Sequence, residues 1–361
     1  MDKQAELKVA TGEEAARFGS ASLHHADALT CYDGWRSPSL IVSDGAYGLG
    51  MFPGEPNGPG GLAEWYAPHA AAWAQHSKPG TTLWFWNREV GWAVVHPILE
   101  LHGWHYEELS IWDKGIAHIA GNVNSQTIRG LPVVTEVAAR YTRKATLATA
   151  DGRHLGLQDW LRAEWMRSGL PMYQANSACG VKNAATRKYL TACHLWYFPP
   201  GEAVAAMANW CETNGEPNGG RPYFSIDGVN PPSPITWDSL RSKWNHTHGI
   251  TNVWQEPAVH GPERVRIPDG RGFLHANQKP IALMERMVLA ATDPGDTVWE
   301  PFGGLCSASV AAVRNRRIAH AAETHPAFYN AARERLEREI MPPRETLDFL
   351  HAMIGPSSVV A

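Results

Sequence analysis

Asp296-Thr-Val-Trp-Glu-Pro-Phe-Gly-Gly-Leu-Cys-Ser-Ala-Ser309 carries three local signals in succession. Thr297 to Trp299 is a short apolar run of strand character, Pro301 to Gly304 is a glycine-bearing turn, and Ser307 to Arg314 opens a helix built from small residues. Strand, turn and helix in this order form a crevice for phosphates or nucleosides, because the tight turn leaves backbone N–H groups free at the start of the helix. A second apolar run, Ile318 to Ala322, ends on Glu323. That carboxylate lies about twenty residues past the turn, the spacing at which an acid accepts ribose hydroxyls in such units. His275-Ala-Asn-Gln-Lys-Pro280 precedes the stretch and Glu323-Thr-His-Pro326 follows it. A nucleotide-type pocket is thus expected whose first half is encoded last.

Near the N-terminus, Ser39-Leu-Ile-Val-Ser43 reads as a buried strand running into Asp44-Gly-Ala-Tyr-Gly48. Taken with the C-terminal stretch, this resembles the circularly permuted β group of S-adenosylmethionine-dependent DNA amino-methyltransferases, over nearly the whole chain. That group carries His-Pro-Thr-Gln-Lys-Pro, then Asp-Pro-Phe-x-Gly-Ser-Gly-Thr, then an acid followed by Pro and Tyr, with Asp-Pro-Pro-Tyr as its catalytic loop. The matching residues are His275, Gln278, Lys279 and Pro280, then Glu300, Pro301, Phe302 and Gly304, then Glu323, Pro326 and Tyr329, and in the loop Asp44 and Tyr47. The chain departs where Glu300 replaces Asp, Cys306 replaces the second Gly, and Gly45 and Ala46 stand in place of the two prolines.

The resemblance implies an α/β fold: a doubly wound, circularly permuted Rossmann-like methyltransferase sheet with an inserted, mainly helical target-recognition domain. It implies S-adenosylmethionine as cofactor, held by Asp27, His275, Asn277, Gln278, Lys279, Glu300, Phe302, Gly304, Cys306 and Glu323. It also implies roles in the loop. An exocyclic amine conjugated to a base is a poor nucleophile until acceptors draw its lone pair out of the ring, and Asp44 with the Gly45 carbonyl would be those acceptors. Tyr47 would stack on the flipped base. Between these motifs, Leu23 to Asp27 ends a short apolar segment on an acid, Pro79 to Asn87 reads as a turn plus a strand, and Gly103 to Lys114 reads as a strand pair.

Composition bounds the reading. A chain of 361 residues fits a catalytic core plus an insert. With 44% hydrophobic residues, no apolar run of spanning length and no secretory pattern, a cytoplasmic globular protein without a membrane partner is expected. Cys31, Cys179, Cys193, Cys211 and Cys306 lack paired spacing, so neither a metal site nor a disulfide framework is expected. No cysteine in a Pro-Cys context is present, which argues against carbon-5 cytosine chemistry.

A net charge of −4 does not advertise nucleic acid, so DNA contact needs a local patch. From Leu157 to Ala192, Trp160, Leu161, Trp165 and Met166 recur at helical spacing, Gly169 and Pro171 punctuate, and Gly180 precedes a third helix. This reads as a helix-turn-helix whose last helix would offer Lys182, Asn183, Thr186, Arg187 and Lys188 to duplex DNA. The corresponding divisions are residues 1–143 with the target-base loop, 144–250 as recognition insert, 251–345 as donor-binding half, and 346–361 as tail. Each signal also has a plainer reading: His24, His25 and His275 as structural histidines, Trp160, Trp165 and Trp196 as core of the insert, Arg187 and Lys188 as a solvated helix face, Ala331 to Glu339 as a surface helix with charge pairs.

The function expected is sequence-specific methylation of double-stranded DNA in a restriction-modification context, with adenine N6 ahead of cytosine N4 because Asp44 opens the loop. A cognate endonuclease is a further expected partner, and the chain is expected to be a monomer or homodimer. The alternatives are a weakly active or inactive DNA-binding module on the same scaffold, and an RNA methyltransferase.

Overall fold

The structure, a computed structural model, describes residues 15–119, 129–267 and 272–340. The expected tail, 346–361, lies outside them. Two compact units emerge, one made of the chain up to Tyr141 together with Lys243 onward, the other of Thr142–Ser242. The strands are β1 (Ala16–Phe18), β2 (Ala21–His24), β3 (Leu40–Ser43), β4 (Thr82–Asn87), β5 (Trp104–Asp113), β6 (Thr135–Arg143), β7 (Thr146–Ala148), β8 (His154–Gly156), β9 (Val253–Gln255), β10 (Thr297–Glu300) and β11 (Ile318–Ala322). The α-helices are α1 (Leu62–His76), α2 (Glu89–Leu101), α3 (Leu157–Arg167), α4 (Gln174–Ala178), α5 (Gly201–Asn214), α6 (Pro234–Asp238), α7 (Ile281–Ala291), α8 (Ser307–Arg314) and α9 (Pro326–Ile340).

The larger unit is built on a sheet ordered β1-β2-β11-β10-β3-β4-β6-β5-β9. β2, β11, β10, β3 and β4 run parallel, with Val298 opposite Leu40 and Trp299 opposite Ile41, while β1 pairs antiparallel with β2. β3, β4 and β10 are buried along their whole length, which a strand needs when helices cover both faces. Alternation divides their side chains between two cores. Leu40 and Val42 pack with Val298, Trp84 and Trp86 against α7, α8 and α9, whereas Ile41 packs with Leu83, Phe85 and Trp299 against α1 and α2. An α/β fold with a mixed, mostly parallel central sheet results.

Two expectations are corrected in this unit. Gly103 to Lys114 forms one ten-residue strand rather than a pair, since its residues continue without a turn signal. α9 is not merely a charged surface helix, because Ala332, Arg335 and Leu336 form a buried stripe at i, i+3 and i+4.

The smaller unit has its own core, where Trp160, Leu161 and Trp165 of α3 meet Val204, Met207 and Cys211 of α5 and Trp237 of α6. β7 and β8 form a two-stranded hairpin. The expected third helix of the helix-turn-helix is here a single five-residue π turn, Ala185–Tyr189, too short to lie along a groove. Its cause is local. Asn176 takes up both Thr186 N (3.2 Å) and Thr186 Oγ1 (3.1 Å), and Leu190 N closes back on Ala185 O. Thr186 is therefore spoken for, Lys182 and Asn183 lie in the preceding segment, and Lys182, Asn183, Arg187 and Lys188 are exposed. Among the described residues, no helix is long and apolar enough to cross a membrane.

Candidate active site

β10 and β3 are adjacent and parallel, and the chain leaves them in opposite directions, toward α8 and toward the Asp44 loop. Crevices that bind ligands open at such a point, beyond the carboxyl ends of the strands. Asp44, His275, Asn277, Gln278, Lys279, Glu300, Phe302 and Gly304 line one cleft there. Residues more than 230 positions apart in sequence thus share one site.

On the β10 side the turn is tight. A Cβ at Gly303 would stand 3.0 Å from Ala322 O, and one at Gly304, whose φ is +52°, would stand 3.3 Å from His275 Nε2. Glu323 clasps the turn from β11, accepting Gly304 N at 2.7 Å and His325 N at 2.6 Å. Glu300 ends β10 and caps α8, accepting Ala308 N (3.0 Å), Ser309 N (2.7 Å) and Ser309 Oγ (2.6 Å). An acid suits the positive end of a helix. Phe302 lines the cleft and also packs against Trp65 and His69. Gln278 bridges the chain before it, accepting from Val265 N and donating to Glu263 O.

Burial pushes Glu300 up to about 7, against Ser309, Ala308 and Arg335, which favour its charged form. The folded chain then holds this proton more tightly than the unfolded chain, where the group titrates near 4.5. The stability it contributes is complete below that value and is lost as pH rises through 7, by up to roughly 3 kcal/mol. Glu300→Gln should flatten this part of the stability profile. Urea midpoints compared at about pH 5 and about pH 8 check it, and an undiminished slope in the variant would assign the pH dependence elsewhere.

Cys306 does not line the cleft. It is fully buried in the core and adopts φ +55°, ψ +43°, with its N–H on Gly303 O. A non-glycine residue in the left-handed region costs roughly 1–2 kcal/mol, so the family's glycine has a conformational reason. Cys306→Gly relieves that strain but gives up a buried sulfur and adds backbone entropy, and stability should stay within about 1 kcal/mol. Cys306→Val, β-branched where φ is positive, should lose at least about 2 kcal/mol. Chemical denaturation of the two variants tests this, and equal stabilities would mean that the turn relaxes around either residue.

On the β3 side a buried charge cluster surrounds Asp44. Lys279 Nζ lies 3.0 Å from Asp44 Oδ1 and 3.4 Å from Glu136 Oε2, and donates to Asn277 O at 3.1 Å. Glu136 on β6 also accepts from Lys114 Nζ and Trp86 Nε1, each at 2.6 Å. Burial alone would raise Glu136, but Lys279 and Lys114 outweigh it and hold the group at about 2. Burial raises Asp44, opposed by Lys279 and reinforced by Glu136. Glu136 is therefore the settled anion, and Asp44 the one whose charge responds to its surroundings.

Tyr47, expected to stack on a flipped base, is buried in this structure. Its ring is only 5% exposed, with Lys279 Nζ 5.1 Å from its centroid. The hydroxyl lies 2.8 Å from Asp44 Oδ1 and 3.0 Å from Glu136 Oε2, and these two acceptors draw the ring inward. Gly45 is required by packing, because a Cβ there would stand 2.6 Å from the Phe302 ring. Asp27 lies apart from the cleft lining, capping the short turn Ala28–Thr30 by accepting Leu29 N at 2.9 Å. His275 is held near 4, by burial first and then by Lys279 and Arg264, so its ring is neutral. Glu136 and Lys114 were missed in the sequence. The available signal was a carboxylate inside Thr135–Arg143, a run otherwise suited to a buried strand.

The match with known proteins extends over most of this framework. M.HinfI, a type II methyltransferase of Haemophilus influenzae, is 27% identical over 162 residues, 42% of this chain and 44% of that protein. The DNA adenine methyltransferase YhdJ of Escherichia coli K12 is 35% identical over 88 residues, 24% of this chain and 25% of that protein. The matched stretches thus span less than half the length of these relatives. The solved PvuII DNA methyltransferase, cytosine-N4-specific, superposes with a TM-score of 0.49 at 12% identity, covering 91% of this chain and 95% of that one. Residues 39–334 match the N6/N4 DNA methylase family model, so the chain belongs to the DNA methylase family.

Proposed function

We propose that the protein is an S-adenosylmethionine-dependent DNA methyltransferase acting on the exocyclic amino group of a flipped base. The observation that carries this is the single cleft lined by Asp44 from β3 and by Phe302, Gly303 and Gly304 after β10. A circular permutation is supported by the strand order, since β10 stands between β11 and β3 although β2 and β3 are encoded at the other end of the chain.

The residues present fit the methyl donor. The two-glycine turn packs without side chains against Ala322 and His275 at the edge of the cleft, and His275 Nδ1 is buried without a hydrogen-bond partner among the described residues. Glu323 uses one lone pair on each oxygen for the turn and keeps the others for hydroxyl donors. His275, Asn277, Phe302, Gly304 and Glu323 would hold the donor, which supplies an electrophilic methyl group on a sulfonium. Lys279 and Glu300 act behind them, fixing Asp44 and α8.

Asp44 and the Gly45 carbonyl would accept the two amine hydrogens, drawing the lone pair toward the acceptor methyl. Tyr47 keeps Asp44 oriented through its hydroxyl. The surplus proton on nitrogen after transfer can leave to the Asp44 carboxylate or to water, so positioning supplies most of the rate. Adenine N6 is placed ahead of cytosine N4 because Asp, not Ser, opens the loop. The relative YhdJ, an adenine methyltransferase by name, agrees. The smaller unit would contact duplex DNA, with exposed Lys182, Arg187 and Lys188 as its basic patch and exposed Asn183 beside them. A restriction-modification setting, with a cognate endonuclease, belongs to the same reading.

The test is transfer of label from S-adenosylmethionine to unmethylated DNA, followed by nucleoside digestion. Label in N6-methyladenine is expected. Label in N4-methylcytosine would reassign the base, label only in RNA would reassign the substrate, and DNA binding without transfer would leave the binding-module alternative, which the strained Cys306 favours.

A further inference from the structure

The loop that begins at Asp44 continues as Gly45-Ala-Tyr-Gly-Leu-Gly-Met51, without the prolines that would stiffen it and with Gly48 and Gly50 at φ +72° and +63°. Such a sequence should be loose. Its backbone is nevertheless held on both sides. Glu55 Oε1 accepts Tyr47 N at 2.8 Å, Gly48 N at 3.0 Å and Leu49 N at 3.3 Å, and Glu55 Oε2 accepts Met51 N at 2.6 Å. Ala46 O accepts Asn87 Nδ2 at 2.8 Å and Tyr66 OH at 3.1 Å, and Tyr47 O accepts Arg88 Nη2 at 3.3 Å.

We infer that Glu55 is a positioning residue for the transfer reaction: its carboxylate gathers the Tyr47, Gly48, Leu49 and Met51 amides and so fixes Tyr47, and through the Tyr47 hydroxyl fixes Asp44. The inference rests on the methyl-transfer reading of this site. Four converging N–H groups form a concave nest that suits an anion, and bonds to a carboxylate are stronger than bonds between neutral groups. A side chain eleven residues past Asp44 thereby does the work that prolines do by covalent restriction. Because Glu55 bonds to the loop and not to the residues lining the donor turn, its loss should separate turnover from donor affinity.

Glu55→Ala should lower kcat by roughly 100-fold, the scale of an ångström of misplacement, with the S-adenosylmethionine Kd unchanged. Glu55→Gln, which keeps an acceptor oxygen, should fall between the variant and the native protein. Added acetate or formate should restore part of the Glu55→Ala turnover by filling the vacated nest. Amide hydrogen exchange at residues 47–51 should speed up in Glu55→Ala while exchange in β3 and β10 stays as before. Native turnover in Glu55→Ala, or a loss that comes with weakened donor binding and is not reversed by carboxylate, would overturn the inference. If the native protein transfers no methyl group to any nucleic acid, the functional reading falls. The exchange measurement then stands alone, faster exchange confined to residues 47–51 upholding the grip of Glu55 and unchanged exchange refuting it.

Discussion

Asp44→Asn is expected to cut methyl-transfer turnover by roughly 10²- to 10³-fold while donor affinity changes little, the pattern of an interaction made mainly in the transition state. The amide keeps one acceptor oxygen but loses the charge that polarises the target amine. It also places an NH2 group where Lys279 and Tyr47 both present donors. The pH profile gives a second reading of the same role. Burial raises Asp44 and Glu136 adds to it, while Lys279 pulls it down. Asp44 brings its full charge to bear on the amine only when ionised, so turnover should rise with pH through its titration. Glu136→Gln removes a neighbouring anion, lowers the Asp44 pKa and should move this acid limb to lower pH. Single-turnover rates against pH for the native protein and both variants check it. A limb that stays in place in Glu136→Gln, with Asp44→Asn retaining full turnover, would remove Asp44 from the chemistry.

What could be read from the sequence followed from what the backbone dictates locally. A strand ending on an acid, two glycines where a side chain would strike Ala322 or His275, and a helix opening with small residues are all short-range requirements, and β10, α8 and β11 occupy the stretches expected of them. Asp44 follows a four-residue run buried at every position, and such runs identify central parallel strands. What could not be read depends on partners distant in sequence. Glu136 lies 92 residues beyond Asp44, and nothing in its own strand names the cations that would let a carboxylate be buried there. Only the fold shows that Lys114 and Lys279 meet it. Tyr47 reads as an aromatic face for a base, and only the fold shows that its hydroxyl also lies against two carboxylates. In the smaller unit, Ala184 to Tyr189 has helical composition, but Asn176 competes for the Thr186 amide and the segment closes after one wide turn.

Lys279 should carry the largest stability effect in the molecule. Its side chain is 3% exposed and its ammonium stands between two carboxylates, with Asp44 Oδ1 at 3.0 Å and Glu136 Oε2 at 3.4 Å. Burying such an ion is expensive, and the cluster persists because each charge offsets another's lost hydration. Lys279→Met fills a similar volume but leaves Asp44 and Glu136 facing each other, with Lys114 remaining on Glu136. Removing one partner from a buried pair costs roughly 3–5 kcal/mol, and that loss is expected here in urea denaturation at neutral pH. The sign of the pH dependence follows. Without Lys279 both carboxyls titrate higher in the folded state than before, so protonation relieves the repulsion, and the deficit against the native protein should shrink as pH falls. Neutralising Asp44 should do the same by mutation, because Asp44→Asn removes one of the two charges that Lys279 balances. The double variant Lys279→Met with Asp44→Asn is therefore expected to be more stable than Lys279→Met alone, with a coupling energy of at least about 1 kcal/mol. Additive losses would show that Lys279 acts on stability through its packing and its bond to Asn277 rather than through charge, and the electrostatic account of Asp44 would then lose its main support.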